Sequence, residues 1–366
     1  MSVSVYVHLP FCRVHCTYCP FAISTDISQQ KAYVDALIRE IDQRTNRPTD
    51  QRTNGFDTVY FGGGTPSRTS LDLLQTIVDH LDIAPNAEFS IEANPEDVTT
   101  EALEAWRAMG VNRVSIGVQS FHDDELTAIG RIHGRDRAIE AVRLAATSGV
   151  RTNLDLILGL PQQTRESFIE TLETAVSLDA GHLSLYMLDL EERTPLAVQV
   201  DRGRVSIPDD DLVADAYLDA IERLERAGLH QYEISNFARD GEECLHNLRY
   251  WKREPYFGFG LGAHSFLGGE RFANTRDIHR YIEKSPDATD FRETLGETES
   301  RRERIFLGLR QTRGIDYEDL VRMTGQEGIE WSDRGLRDGW LQRVNGRVAF
   351  TPAGFLQSND FISQLF

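Results

Sequence analysis

Thr58-Val59-Tyr60-Phe61-Gly62-Gly63-Gly64-Thr65-Pro66-Ser67 is a β-branched and aromatic run that stops on three glycines. The run reads as a strand, and the glycines as a place where backbone N–H and C=O groups come close to a ligand. Alone, the triple glycine fits a plain tight turn equally well. Working outward, five more strands are predicted: residues 3–7 before it, and 88–92, 113–117, 153–158 and 182–187 after it. Helices are predicted between them. Residues 30–43 carry an apolar stripe of Tyr33, Val34, Leu37, Ile38 and Ile41; 100–109 and 136–148 each close on a glycine; 164–178 completes the set. Alternating strands and helices predict parallel strands joined by right-handed crossovers. Six such units predict an α/β fold, a partial (β/α)6 barrel of the TIM type. The alternative is an open doubly wound sheet, whose G-x-G-x-x-G signature is absent after the first strand.

Three units are expected along the 366 residues: the barrel over 1–190, a helical and mixed extension over 191–297, and a small winged-helix-like domain over 298–366. The extension contains an amphipathic helix over 209–227 and a Gly- and aromatic-rich stretch over 250–269; the last unit starts with a helix over 301–310. It ends in two apolar runs joined by Asn345-Gly346, a hairpin turn. The polar segment 45–54 reads as a surface loop.

With 39 basic against 58 acidic residues the net charge is −19, which disfavours general nucleic-acid binding while leaving room for a local basic patch. No apolar run reaches membrane-spanning length, and residues 1–10 lack the basic flank of a secretory signal, so the expected location is the cytoplasm. Peripheral membrane contact and a homodimer stay open.

Of four cysteines, Cys12, Cys16 and Cys19 cluster directly after the first strand, and Cys244 stands apart. Clustered thiols in such a chain point to metal. Three thiolates suit a [4Fe–4S] cluster with one iron free of protein ligand, or a zinc site completed by His15. The glycine loop on the neighbouring strand favours the cluster. The next strands end in polar groups: Glu92, Gln119 and Asp155, with Arg131 nearby. A buried carboxylate in an apolar strand is costly without a partner. Several of them at one barrel mouth favour a ligand bearing hydroxyl, amino and carboxylate groups over separate structural roles.

The three-cysteine loop, Gly62-Gly63-Gly64-Thr65-Pro66 and the polar strand ends resemble the radical S-adenosylmethionine (SAM) superfamily. The segments 60–67 and 156–164 resemble, more narrowly, the branch holding oxygen-independent coproporphyrinogen III oxidases and the HemW heme chaperones. The resemblance implies that Cys12, Cys16 and Cys19 hold the cluster. It implies that Tyr6, Gly63 and Glu92 contact SAM, and that Tyr18, Gly64, Thr65, Gln119, Arg131 and Asp155 line a second SAM-type site.

Within that branch, the oxidases resemble Cys-x-x-x-Cys-x-x-Cys-x-Cys and carry a long segment ahead of the cluster. Here Phe21 replaces the last cysteine and eleven residues precede Cys12, as in the chaperones. His246-Asn247-x-x-Tyr250-Trp251 resembles the chaperones' H-N-x-x-Y-W pattern. The expectation is therefore a heme-binding chaperone that delivers heme to an unidentified acceptor protein; the oxidase is the alternative. His246 is the candidate heme ligand, against the plainer role of a hydrogen-bonded core histidine, and Cys244 is a second candidate against a buried free thiol.

Overall fold

The computed structural model describes residues 3–45 and 55–366. The surface loop expected over 45–54 lies outside the described residues from position 46 onward. The chain runs β1 (Ser4–Leu9), α1 (Gln30–Thr45), β2 (Phe56–Gly63), α2 (Leu71–Asp79), β3 (Ile83–Ala93), α3 (Thr100–Ala108), β4 (Arg113–Gln119), α4 (Asp123–Ala128), α5 (Arg135–Thr147), β5 (Arg151–Leu158), α6 (Arg165–Ser177) and β6 (His182–Met187). These six strands are parallel and adjacent in chain order, with β1 pairing β2 from Ser4↔Thr58 to Leu9↔Gly63. All six predicted strands are present.

Each strand carries two rows of side chains, because successive residues point to opposite faces. One row is apolar and buried in a common core with the helices: Val5, Val7 and Leu9 of β1, Val59 and Phe61 of β2, Phe89 and Ile91 of β3, Leu154, Leu156 and Leu158 of β5. Leu37 and Ile41 of α1, Leu103 and Trp106 of α3, and Phe168 and Leu172 of α6 belong to that core. Burying a Val, Leu or Phe side chain fully is worth about 1.5–3 kcal/mol. The opposite row is polar and faces the barrel interior. It holds Thr58 and Tyr60, Glu88 and Glu92, Arg113 and Ser115, Asn153 and Asp155, and His182 and Ser184. This row makes the interior a hydrogen-bonded volume rather than a greasy plug.

The chain continues with α7 (Pro195–Asp201), α8 (Asp210–Arg226), β7 (His230–Gln231), β8 (Asn236–Ala238), α9 (Leu245–Trp251), β9 (Tyr256–Phe259), β10 (His264–Leu267), β11 (Glu270–Asn274), α10 (Ile278–Lys284) and β12 (Thr289–Thr294). Their strands extend the same sheet at both edges, giving the order β12-β11-β10-β9-β1-β2-β3-β4-β5-β6-β8-β7. β9 runs parallel to β1, and β8 runs antiparallel to β6. The stretch 250–269, expected only to be Gly- and aromatic-rich, thus supplies two strands, β9 beside β1 and β10 beside β9.

The C-terminal part comprises α11 (Glu297–Leu309), β13 (Ile315–Asp316), α12 (Tyr317–Thr324), α13 (Gln326–Arg337), β14 (Leu341–Val344), β15 (Arg347–Phe350), α14 (Pro352–Leu356) and α15 (Ser358–Ser363). Its separate antiparallel sheet has the order β13-β15-β14. Asn345 and Gly346 both have positive φ, 51° and 78°, as a two-residue hairpin turn requires. No helix among the described residues is long and apolar enough to cross a membrane.

Candidate metal and cofactor site

The loop after β1 carries the three clustered cysteines. Its base is closed by Ser24 N–H donating to the Pro10 carbonyl (2.8 Å) and Cys12 N–H donating to the Ser24 carbonyl (2.9 Å). Its tip is tied down where Thr17 N–H donates to Ile129 O at 3.1 Å and Thr17 O accepts from Leu196 N–H at 2.9 Å. Tyr18 packs on the small apolar cluster of Ile129, Ile157, Leu160 and Leu196.

Cys12, Cys16 and Cys19 line one cavity of about 440 Å³ together with Tyr18, Gly63, Gly64, Thr65, Glu92, Gln119, Arg131 and Asp155. Residues from the C-terminal halves of β2 to β6 meet there, which requires the parallel strands to curl around a shared mouth. Tyr6 is placed differently from the rest. It lines an adjoining groove of about 1140 Å³ with His8, Tyr250, Tyr256 and His264; that groove shares Cys19, Phe21, Gly63 and Glu92 with the first cavity.

The sulfurs sit in a polar cradle. Thr65 Oγ1 donates to Cys12 Sγ at 3.3 Å, and an Arg131 Nη1 approaches Cys16 Sγ at 3.8 Å. A Cβ on Gly64 would lie 2.5 Å from the Pro10 carbonyl oxygen and 3.0 Å from Cys12 Sγ, so only glycine lets the chain leaving β2 run this close to the cysteine loop. Burial pushes the Cys12 thiol up to about 11 and raises Cys19 as well. At neutral pH these thiols stay protonated until a bound cation displaces their protons, which leave to solvent. Among the described residues no three His, Cys, Asp or Glu side chains converge on one point. A cubane does not ask for that, because each thiolate binds a different iron. The donor set therefore fits a [4Fe–4S] cluster. His15, the fourth ligand of the zinc alternative, has its Nε2 3.1 Å from the Cys19 carbonyl oxygen.

Beside the sulfurs stands the strand-end polar set. Glu92 accepts from Tyr60 Oη at 2.9 Å and from Gly63 N–H at 3.1 Å. Burial, and then the charge of Asp155, push its carboxyl up to about 7. Asp155 accepts from Ser115 Oγ and Asn153 Nδ2, both at 2.8 Å, and burial raises its pKa too. Two buried carboxyls in one cavity, one of them raised in part by the charge of the other, favour a cationic ligand. Arg131 is held by Asn94 Oδ1 (2.7 Å) and the Gly117 carbonyl (2.6 Å). Gln119 has φ 69° at a bulge in the β4–β5 ladder, and its amide turns back over Gly117. Sequence reasoning missed Asn94, which also donates to Thr65 Oγ1 at 3.2 Å, and His8, whose ring sits under Gly63. Asn94 follows Glu92 in the polar strand end, and His8 alternates with Tyr6; both signals were there to find.

His246 lies elsewhere. It is 1% exposed on α9 and lines neither cavity. Its Nδ1 pairs with Thr58 Oγ1 and its Nε2 with Tyr250 Oη, both at 2.8 Å, while its ring stacks on Tyr60. Burial pushes its pKa down to about 3. With both nitrogens engaged, no lone pair is offered to an iron; the arrangement is that of a histidine shaping the fold. Cys244 is buried, its thiol pushed up to about 12 by burial and directed at Glu88 Oε1 at 3.5 Å. His264, by contrast, is exposed in the larger groove.

A parallel (β/α) barrel whose first loop presents three cysteines to a glycine-rich second strand defines a radical SAM protein, and residues 6–175 match the model of the Radical SAM superfamily. The chain is 38% identical to the heme chaperone HemW of Bacillus subtilis, over 98% of this chain and 97% of that protein. It is 38% identical to the heme chaperone HemW of Escherichia coli over 79% of each. The solved structure of coproporphyrinogen III oxidase (HemN) from Escherichia coli, a radical SAM enzyme, superposes with a TM-score of 0.84 at 23% identity, covering 100% of this chain and 90% of that one. At that identity the likeness speaks for the fold. Within the superfamily, the chain belongs to the HemW family of heme chaperones.

Proposed function

We propose that the chain binds heme and delivers it to an acceptor protein, with a [4Fe–4S] cluster on Cys12, Cys16 and Cys19 and SAM at the iron those cysteines leave free. One observation carries the reading: two cavities of different chemistry meet at Phe21, which lines both and is 61% exposed. The smaller offers sulfur, glycine backbone and carboxylates. The larger offers tyrosine rings, the His264 imidazole and the guanidinium of Arg276, a set suited to a flat macrocycle with iron at its centre and carboxylates at its edge. When bound, the cluster supplies one-electron chemistry to SAM.

The chain's own residues position the two ligands. Gly63 presents backbone to the SAM side and Glu92 receives its positive charge, while Thr65 and Arg131 direct hydrogen-bond donors at the cysteine sulfurs. Tyr18, Gly64, Gln119 and Asp155 remain candidates for a second SAM-type molecule. In the larger groove, His264 rather than His246 is the imidazole open to a heme iron. Phe21 replaces the extra cysteine of the oxidase pattern, which supports the chaperone reading over the oxidase.

The test is coproporphyrinogen III turnover beside a hemin titration, both on anaerobically reconstituted full chain. Saturable heme binding without porphyrin product supports the proposal; protoporphyrinogen formation at enzyme-like rates overturns it.

A further inference from the structure

In a chain with a net charge of −19, one cavity away from the cluster gathers six basic side chains against two acidic ones. It measures about 630 Å³ and lies between the end of α9, α11, the loop before β13, α12 and the start of β15. Lys252, Arg301, Arg304, Arg313, Arg322 and Arg347 line it against two carboxylates, Glu297 and Asp319. Both carboxylates are already engaged, Glu297 with Arg301 and Asp319 with Arg322 at 2.7 Å. Arg347 is aimed by two carbonyls, its Nε donating to Arg313 O at 2.8 Å and its Nη2 to Gly314 O at 2.7 Å. Among the described residues, no acidic side chain pairs with Lys252, Arg304, Arg313 or Arg347. Four uncompensated cations around one cavity repel each other, and an acidic protein has carboxylates to spare for them.

We infer that this cavity binds a small multivalent oxyanion, of which phosphate and pyrophosphate are the simplest forms. Guanidinium forks give two-point contacts to phosphate or carboxylate oxygens, and the lysine adds a point charge. The walls come from several elements and enclose a volume suited to a small molecule. A nucleic acid would have to approach against the field of the whole chain. Trp251 lines the same cavity and ends the helix that carries His246 and Tyr250. Occupancy is therefore felt directly by the H-N-x-x-Y-W helix.

The experiment is calorimetric titration of the full chain with pyrophosphate at low ionic strength, with inorganic phosphate, citrate and a single-stranded oligonucleotide in parallel. Pyrophosphate should bind saturably and quench tryptophan emission, the quench disappearing in Trp251→Phe. Lys252→Ala/Arg304→Ala/Arg313→Ala should weaken it about tenfold or more. Lys31→Ala/Arg107→Ala/Arg202→Ala, which removes the same charge from other exposed positions, should leave it unchanged. Citrate binding as tightly as pyrophosphate supports the oxyanion site and makes carboxylates ligands too; weaker citrate marks phosphate as the preferred source. No saturable pyrophosphate binding, equal loss in both triple variants, or binding of the oligonucleotide alone overturns the inference. All six positions are exposed on the surface, and circular dichroism verifies that each variant is folded.

Discussion

The backbone N–H of Gly63 donates to the carboxylate of Glu92 at 3.1 Å, joining the end of β2 to the end of β3 at the border between the cluster cavity and the larger groove. Gly63 and Glu92, the two proposed SAM contacts, are thus one hydrogen-bonded unit. Gly63 has φ 116°, and a Cβ there would come 2.7 Å from the His8 ring. Replacing this residue disturbs both partners at once.

Because Glu92 is raised to about 7 in the folded chain, it binds a proton that the unfolded chain releases near its usual 4.5. Between those values the folded state holds more protons, so this group's contribution to stability falls as pH rises through that window and stays low above it. A cationic ligand reverses the preference. SAM affinity should increase as pH rises from 6 to 8, with proton release on binding visible as a dependence of the calorimetric heat on buffer. Glu92→Gln should remove the pH dependence and weaken SAM about tenfold. A pH-independent SAM affinity in the parent chain would contradict the role assigned to Glu92.

Gly64→Ala tests the cysteine cradle. The added methyl collides with the Pro10 carbonyl and crowds Cys12 Sγ. Iron and sulfide after anaerobic reconstitution should drop to about half of the parent level or less, while far-ultraviolet circular dichroism stays the same. Full iron content in Gly64→Ala would mean that the loop does not need this close approach.

The six strands and the three-cysteine loop were legible because both signals are local: an apolar row every second residue, and thiols spaced within one loop. Strands β9 to β12 were not. Gly258 inside β9 and Gly260 just after it leave little strand signal, yet a Cβ at Gly258 would lie 1.9 Å from the His264 carbonyl oxygen, so the glycine is there for the close approach of β10. Such a demand comes from tertiary packing and leaves no periodicity. The role of His246 was illegible for a related reason. Its partner Thr58 is 188 residues away in sequence, and the motif by itself does not show which nitrogens are already bonded.

His246→Ala should therefore act on stability. It leaves Thr58 Oγ1 and Tyr250 Oη without their partner in a buried site, at a cost of about 2–4 kcal/mol in denaturant unfolding. The absorption spectrum of bound hemin should be unchanged in the folded variant, whereas His264→Ala should shift it. The opposite pattern would return the ligand to His246.

The buried pair of Glu88 and Arg113 anchors the same helix. Glu88 Oε2 meets Arg113 Nε at 3.2 Å, and Oε1 accepts from His246 N–H at 2.9 Å. Arg113 also donates to the carbonyls of Glu242 (2.7 Å) and Glu243 (3.1 Å). Arg113→Met leaves a buried carboxylate short of its main partner and should cost about 3 kcal/mol or more. Urea unfolding followed by far-ultraviolet circular dichroism measures this; a loss below about 1 kcal/mol would show that Arg151, whose Nη1 lies 3.5 Å from Glu88 Oε2, compensates fully.

Heme retention is the most direct test of the central claim. The anaerobically reconstituted full chain is mixed with excess hemin and SAM, passed through gel filtration, and assayed for heme by pyridine hemochrome and for iron and sulfide. About one heme per chain should elute with the protein alongside an intact cluster. A chain that elutes with its cluster and no heme would contradict the account.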